Sequence, residues 1–179
     1  MKVNSGFTLV ELMVVITIFA VLMGFGAPSY RYVTNSNRIS AEVNGLLGDL
    51  QFARSEAIKE GGTVTVCPAI APYTACANNS STWNNGWIVV SPPPASTVLR
   101  VQAAFANTKD SFVSAGGQTA ITFDRNGFGS AQPVLLNGSV VVRLTTIPNS
   151  RNWQRCVEVV MGGSIATEKP GQGNCTWTP

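Results

Sequence analysis

The sequence contains no histidine, and its nine acidic residues are scattered along 179 positions. Without histidine there is no Ser-His-Asp or Cys-His catalytic arrangement and no histidine-containing zinc site. The usual general base near neutral pH is missing as well. The acidic residues form no recognisable catalytic or metal-binding motif. We therefore predict a protein without catalytic residues, without a cofactor and without a bound metal ion.

Charged residues are also scarce, at 12% of the chain, and the formal net charge is only +3. Proteins that bind nucleic acid through the phosphate backbone usually carry clusters of Lys and Arg. The overall charge is therefore too small for a general nucleic-acid-binding protein. Hydrophobic residues make up 45% of the sequence, and the chain is long enough for one domain with a hydrophobic core.

One long uncharged segment follows Glu11 and extends from Leu12 to Tyr30. About 20 helical residues cross the hydrocarbon core of a membrane, so this segment predicts a transmembrane helix. Lys2 precedes the segment and the next basic residue is Arg31, which favours a cytoplasmic N-terminus. Pro28 predicts a kink or a short melted stretch in the helix, but not its end.

Glu11 distinguishes between three interpretations of this segment. A secretory signal peptide would be cleaved after the apolar residues, at a site such as Gly24–Ala27. A simple membrane anchor accounts for the length alone. Neither interpretation explains the carboxylate, because a charged side chain within the hydrocarbon costs about 2.5 to 3.5 kcal/mol on insertion scales and usually has a partner.

The sequence G-F-T-L-V-E at positions 6–11 resembles the type IV prepilin motif. The resemblance implies that prepilin peptidase removes residues 1–6 as a leader by cleaving between Gly6 and Phe7. It also implies methylation of the new amino group of Phe7. In this family the glutamate neutralises a subunit N-terminus during assembly, so Glu11 is the expected docking residue. A buried carboxylate and a buried ammonium group are each costly alone and tolerable together. Residues 7–30 would remain as the transmembrane and filament-core helix.

Residues 31–62 have the pattern of an amphipathic helix that belongs to the head of the molecule. Apolar residues recur at spacings of three and four along one face; they are Ile39, Val43, Leu46, Leu50, Ala53 and Ala57. Glu42 and Asp49 lie off that face, and we expect them to be solvated. Gly61 and Gly62 favour the end of the helix.

Residues 63–179 predict a β-rich head. Six short segments have strand-like composition and are separated by turn sequences; they are Thr63–Cys67, Gly86–Val90, Leu99–Ala104, Ala120–Phe123, Ser139–Leu144 and Cys156–Val160. The sequence D-R-N-G at 124–127 predicts a β-hairpin, because Asn-Gly favours positive φ. A calcium loop is the weaker alternative, since the later oxygen ligands of an EF-hand are missing. The expected fold class is α+β, with the long helix packed on an antiparallel β-sheet.

The four cysteines are Cys67, Cys76, Cys156 and Cys175, and their spacing is too wide for the C-x-x-C pairs of a zinc site. A membrane-anchored chain with an exported head favours oxidised cysteines. We expect the bridges Cys67–Cys76 and Cys156–Cys175, although four cysteines permit three pairings and the sequence does not fix the choice. Four buried thiols in a cytoplasmic protein are the alternative, with which the membrane segment conflicts.

Four blocks of the head resemble the GspH/FimT/FimU family of minor pilins and pseudopilins; they are residues 52–59, 64–68, 83–90 and 121–127. The resemblance implies a type IV pilin fold and a low-copy subunit that primes pilus assembly at the filament tip. Its implied partners are other minor pilins, the major pilin, prepilin peptidase and the inner-membrane assembly platform. The implied location is the bacterial inner membrane, with a periplasmic head, and then the extracellular pilus tip. A minor pseudopilin of type II secretion shares these motifs and stays an alternative.

DNA binding during natural transformation is the other alternative. Some FimT-type proteins bind DNA through a basic C-terminal segment similar to G-R-x-R, whereas residues 162–167 read G-G-S-I-A-T here. Arg143, Arg151 and Arg155, together with Trp153, could form a small basic and aromatic patch. Three arginines are few compared with the phosphate contacts of tight binding, so the priming function ranks first.

Overall fold

The computed structural model describes residues 7–77, 83–106, 108–132, 138–147 and 151–176, except for the side chains of residues 25–28, 132 and 151. The elements, in chain order, are α1 (Leu9–Glu60), β1 (Val64–Pro68), β2 (Gly86–Val90), β3 (Val98–Ala103), β4 (Asp110–Ser114), β5 (Ala120–Phe123), β6 (Gly129–Gln132), β7 (Ser139–Thr146), a 3-10 turn (Arg151–Trp153), β8 (Arg155–Val160) and β9 (Ile165–Glu168). The chain divides into two compact units, Met1–Arg38 and Ile39–Pro179.

The first unit contains the N-terminal part of α1, in which the residues between Glu11 and Arg31 are uncharged and mostly apolar. Its most apolar 18-residue window has a mean hydropathy of 2.4, and none of that window is buried in the chain. A helix of this kind is typical of a membrane span or a core helix. Helical hydrogen bonding continues through Pro28, so the melted stretch expected there is absent. Proline removes only one backbone donor, and the bonds of its neighbours maintain the helix. A kink at this residue stays a prediction.

The second unit carries two antiparallel sheets. In the first sheet the strand order is β3-β2-β1-β5-β6, and in the second it is β4-β7-β8-β9. Strands β1 and β5 pair in the centre of the first sheet, with Val66 opposite Ile121. Strands β7 and β8 pair in the centre of the second sheet, with Val142 opposite Val157. The α+β class expected from the sequence is confirmed, and its strands form two sheets.

The apolar face of α1 forms the centre of the core, as its spacing predicts. All six residues of that face, from Ile39 to Ala57, are at most 3% exposed. They pack with inward-facing residues from both sheets, and the largest of these are Trp83, Trp87, Phe112, Phe123, Ile121 and Leu144. Burying a large aliphatic or aromatic side chain contributes roughly 1.5–3 kcal/mol, so this face of α1 accounts for much of the stability of the head.

Asp49 and Glu42 are not on a solvated face, and that prediction is wrong. The side chain of Asp49 is only 14% exposed, and Glu42 is half-buried. Trp87 donates a hydrogen bond of 2.9 Å from its Nε1 to Oδ2 of Asp49. Arg100 donates to the other carboxylate oxygen at 3.2 Å. Strands β2 and β3 therefore cover this side of the helix and supply two donors to a carboxylate there.

The two disulfide bonds have the expected pairing. Cys67 is bonded to Cys76, and Cys156 is bonded to Cys175. The first bond ties the end of β1 to the segment that follows it. The second ties β8 to the C-terminal segment, where Gln154 also donates a 2.7 Å hydrogen bond to the carbonyl oxygen of Thr176. Each bridge thus fixes an otherwise irregular segment to a strand.

Candidate functional site

The N-terminus of α1 is capped by Thr8. Its hydroxyl oxygen accepts a 3.2 Å hydrogen bond from the backbone N–H of Glu11, and its carbonyl oxygen accepts one from the backbone N–H of Leu12. Thr-x-x-Glu is the capping-box sequence, in which residues three apart satisfy the free donors of the first turn. A negative charge is also favoured at this end of the helix dipole. Glu11 therefore occupies the first turn of the helix, where a carboxylate is favoured, and its backbone N–H is bound by the Thr8 cap.

Around this cap, the side chains are exposed apolar groups. Phe7 is 85% exposed and Leu9 is 73% exposed. Glu11 is exposed as well, and the helical residues from Leu12 to Met23 are apolar except for Thr17, whose hydroxyl donates to helix carbonyl oxygens. Gly6, the other residue of the expected cleavage site, lies outside the described residues. The described part thus presents an exposed carboxylate in the first turn of an apolar helix whose side chains are exposed as well.

The segment D-R-N-G forms the hairpin turn that it predicts, between β5 and β6. Asp124 accepts hydrogen bonds on Oδ1 from the backbone N–H groups of Asn126 and Phe128, at 2.8 and 2.9 Å. Gly127 has a φ of 78°, which favours glycine. The carboxylate oxygen that would be a calcium ligand therefore holds the turn together, and the hairpin prediction is confirmed.

The register of β7 and β8 does not bring Arg143 and Arg155 together. Arg143 is opposite Cys156, whereas Arg155 is opposite Leu144, a core residue. Because side chains alternate along a strand, the two arginines project from opposite faces of the second sheet. The side chain of Arg151 lies outside the described residues.

Each described member of this proposed patch also has a local contact. Nη2 of Arg143 donates a 2.9 Å hydrogen bond to the hydroxyl of Thr176, and partial burial lowers the pKa of the Arg143 guanidinium. Nη1 of Arg155 donates to the carbonyl oxygens of Asn152 and Gln154, at 2.8 and 2.7 Å. Trp153 packs against the hydrophobic core. These contacts give the arginines and the tryptophan a role in holding the ends of β7 and β8.

Comparison with protein families gives two matches. Residues 42–163 match the family described as type II transport protein GspH, and this segment is more than half of the chain. The chain belongs to the GspH family. Residues 1–27 match the prokaryotic N-terminal methylation motif, which includes Glu11 and the start of α1. Comparison with curated proteins gives no match.

Two crystal structures of the type IV minor pilin FimU from Pseudomonas aeruginosa strain PAO1 have a similar fold. The structure in space group P21 has a TM-score of 0.59 at 18% identity, covering 78% of this chain and 97% of that one. The structure in space group P65 has a TM-score of 0.52 at 18% identity, covering 75% and 97%. The fold of this GspH-family chain is therefore that of a type IV pilin, with a long helix packed on antiparallel sheets.

A pair of carboxyl groups lies on the outer face of the second sheet of this GspH-family head. Glu158 of β8 is only 7% exposed, and it is a diagonal neighbour of Glu168 on β9. Asn174 donates hydrogen bonds from its side-chain amide to Glu158 and to the hydroxyl of Ser139. The C-terminal segment therefore lies over the carboxyl pair and is fixed there by Cys175.

The two glutamates have opposite pKa shifts. Burial works to raise the pKa of Glu158, but hydrogen bonds with Asn174, Ser139 and Glu168 outweigh it and the pKa is lowered. The pKa of Glu168 is raised, first by burial and then by the charge of Glu158 and the hydrogen bond with it. Backbone hydrogen bonds from Cys175 and Asn174 lower this pKa but do not outweigh the other effects. The arrangement favours one proton held by Glu168 and shared with ionised Glu158.

Within the ranges that the structure describes, no group of three or more His, Cys, Asp and Glu side chains could hold a metal ion. The carboxyl pair itself was not indicated by the sequence, because β9 has only four residues and the two glutamates are ten positions apart along the chain. Glu158 and Glu168 thus lie where β8, β9 and the C-terminal segment meet.

Proposed function

We propose that this GspH-family chain is a minor type IV pilin of the FimU kind, a non-enzymatic subunit that helps to prime pilus assembly and remains at the pilus tip. The observation that carries the proposal is the uncovered apolar helix with Glu11 in its first turn, attached in sequence to a head with the fold of FimU. A helix with this surface needs a membrane or other helices around it.

Processing is the first step of the proposed function. Prepilin peptidase cleaves between Gly6 and Phe7, and the amino group of Phe7 is then methylated. The match to the N-terminal methylation motif supports this step. The cleavage precedes the apolar helix, so the helix stays in the mature chain and anchors it as a single span in the inner membrane.

Docking is the second step. The carboxylate of Glu11 accepts the charge of the amino terminus of a neighbouring subunit when the apolar helices pack together. Each group alone would be costly in an environment without water, and the pair removes most of that cost. The partners are other minor pilins and the major pilin, which the inner-membrane assembly platform brings together, and the head faces the periplasm before it reaches the tip.

A minor pseudopilin of type II secretion is the second candidate. It is favoured by the name of the matched family, which refers to type II transport. Deletion of the gene separates the two candidates: loss of surface pili with normal secretion supports the pilus, and loss of secretion with normal pili supports the pseudopilin.

Mass spectrometry of the intact protein from its host tests the proposal. We expect a chain that begins at Phe7, carries one added methyl group and gains the mass of four hydrogen atoms on reduction of two disulfides. A chain that still contains Met1–Gly6, or one that begins downstream of Ala27, would contradict the proposed function.

A further inference from the structure

The guanidinium group of Arg54 lies where α1 meets two turns of the head. Its Nε donates a 3.1 Å hydrogen bond to the carbonyl oxygen of Gly127 in the β5–β6 turn. A Cβ atom placed on Gly127 or on Gly163, in the β8–β9 turn, would come within 3.0 Å of that Nε. Both glycines have a φ of 78°. The two turns therefore come close to the guanidinium because neither carries a side chain there.

Arg54 differs from two nearby cations in having no acidic partner among the described residues. Arg100 pairs with Asp49 at 3.2 Å, and Lys59 pairs with Glu56 at 2.8 Å. Arg54 forms no ion pair with any carboxylate in the ranges that the structure describes. Its side chain is nevertheless half-buried, and a guanidinium has five N–H donors, of which the Gly127 carbonyl uses one. A charge held in this way is suited to a carboxylate from outside the head.

An open groove with a volume of about 520 Å³ lies beside this arginine, and none of the described residues that line it is acidic. The lining residues are Gln51, Arg54, Ser55, Ile58, Gly162, Ser164 and Ile165. They combine hydroxyl and amide groups with apolar side chains. Ile58 is 50% exposed, and two other exposed apolar residues, Phe128 and Met161, directly adjoin Gly127 and Gly162 in the chain.

The strand that borders the groove has an open edge. Strand β9 begins at Ile165 and is the last strand of the second sheet, bonded among the described elements only to β8. An exposed edge of this kind accepts a further extended segment through backbone hydrogen bonds, and neighbouring pockets then select its side chains. The groove therefore offers a backbone edge, an apolar surface and one uncompensated positive charge to the same occupant.

We propose that this groove receives an extended segment of a neighbouring filament subunit, and that an Asp or Glu side chain of the segment binds the guanidinium of Arg54. The identity of the partner as a filament subunit rests on the proposed function. The carboxylate follows from charge complementarity, since the described lining of the groove provides no counter-charge to Arg54. An apolar residue next to the carboxylate would cover Ile58.

Zero-length cross-linking of assembled complexes in cells that express the full chain tests this site. The variant Arg54→Lys places an amine in the groove, and a carbodiimide joins an amine to a carboxylate only when the two are in contact. We expect an amide bond between position 54 and one Asp or Glu of another filament subunit, identified by mass spectrometry. Arg125→Lys is the matched control, because it introduces the same amine on the exposed β5–β6 turn; that variant should not give this bond.

Three further substitutions make the result decisive even if the lysine is poorly placed. Ser55→Glu adds a carboxylate to the exposed helix side of the groove and leaves the Arg54–Gly127 bond in place. We therefore expect it to remove a photo-cross-link formed to a filament subunit from Met161, the exposed neighbour of the lining residue Gly162 in the chain. A photo-cross-linker at Val14 reports helix packing in the same assemblies. Cross-links at Val14 without any at Met161 or position 54 would overturn the groove proposal and leave the proposed function standing. Absence of all of them would count against both.

Discussion

Asp49 of α1 and Trp87 of β2 are joined by a 2.9 Å hydrogen bond from the indole Nε1 to the carboxylate Oδ2. Trp87 is 1% exposed, so its N–H has no access to water and depends on this acceptor. Arg100 donates to the second oxygen of Asp49 and also stacks on Phe52, with 3.8 Å from its Cζ atom to the ring centroid. This cluster fastens the first sheet to the helix beside the apolar core.

Replacing Asp49 should therefore weaken the head. Asp49→Ala leaves the buried indole N–H without a partner, which costs about 1–3 kcal/mol in the free energy of unfolding. Asp49→Asn keeps an acceptor and should lose less. Denaturant unfolding of the full chain in detergent, followed by tryptophan fluorescence, measures both. Lys59→Ala, which breaks an exposed pair with Glu56, is the control and should leave the midpoint unchanged. Equal midpoints for Asp49→Ala and the wild type would show that the bond is not needed.

Adjacent glycines of the β8–β9 turn should respond differently to the same substitution. Gly163 has a φ of 78°, and a Cβ there would overlap the carbonyl oxygen of Gly127, whereas a Cβ on Gly162 meets nothing within 4 Å. Gly163→Ala should lower the free energy of unfolding by about 1–3 kcal/mol through backbone strain alone. The overlap of the new Cβ with the carbonyl oxygen of Gly127 should lower it further. Gly162→Ala should be close to neutral. Thermal unfolding of the two variants in parallel measures the difference, and similar Tm values would argue against the close approach of the two turns.

The elements that depend on local sequence could be predicted, and those that depend on distant pairing could not. The apolar face of α1 and the D-R-N-G hairpin follow from periodicity and from the conformational preference of Asn-Gly. Strands β4, β6 and β9 were missed because they are short and contain polar or small residues, as in the sequence G-S-A-Q of β6. Their strand conformation comes from pairing with β7, β5 and β8, which single-sequence composition does not encode.

The same division applies to the polar residues singled out above. Glu11 could be found from the sequence because a carboxylate in an apolar run is unusual wherever the chain folds. The partner of Asp49 is 38 residues away and that of Arg54 is 73 residues away. Such contacts exist only once the sheets have formed, so Asp49 resembled any other charged residue off the apolar face.

The carboxyl pair should give the head a characteristic pH dependence. The pKa of Glu168 is raised above its ordinary value of 4.5, so stability should rise as the pH falls from neutral through that pKa and the proton is taken up. The pKa of Glu158 is lowered below 4.5, so its contribution is present above its ordinary value and is lost as the pH falls through the lowered pKa. The pair therefore stabilises the head most between the two folded-state pKa values.

Glu168→Gln should remove the upper part of this dependence. The amide is neutral at every pH and can donate a hydrogen bond to Glu158, so the variant should be at least as stable as the wild type at neutral pH. Thermal unfolding from acid to neutral pH, compared between the two proteins, measures the effect. Glu60→Gln removes the same charge from the exposed end of α1 and is the control. If Glu168→Gln and Glu60→Gln gave the same pH profile, proton sharing by the pair would be ruled out.

Substitutions at Glu11 can separate the effect of its charge from the effect of its position in the helix cap. Glu11→Ala should insert in the membrane and fold, because the head is untouched, but it should fail to enter filaments or priming complexes. Glu11→Gln keeps the capping-box pattern with Thr8 and loses only the charge. If docking neutralises an amino terminus, Gln should fail as Ala does; if Glu11 serves only to start the helix, Gln should restore incorporation.

Sheared filaments and membrane fractions, quantified for each variant, distinguish these outcomes. Thr8→Ala is the matched control for the cap, since it removes the hydroxyl that accepts the bond from the backbone N–H of Glu11 and leaves the carboxylate in place. We expect Thr8→Ala to retain incorporation, because a membrane helix of this length does not depend on one cap bond, whose loss costs roughly 0.5–2 kcal/mol. Normal incorporation of both Glu11 variants would remove the docking role.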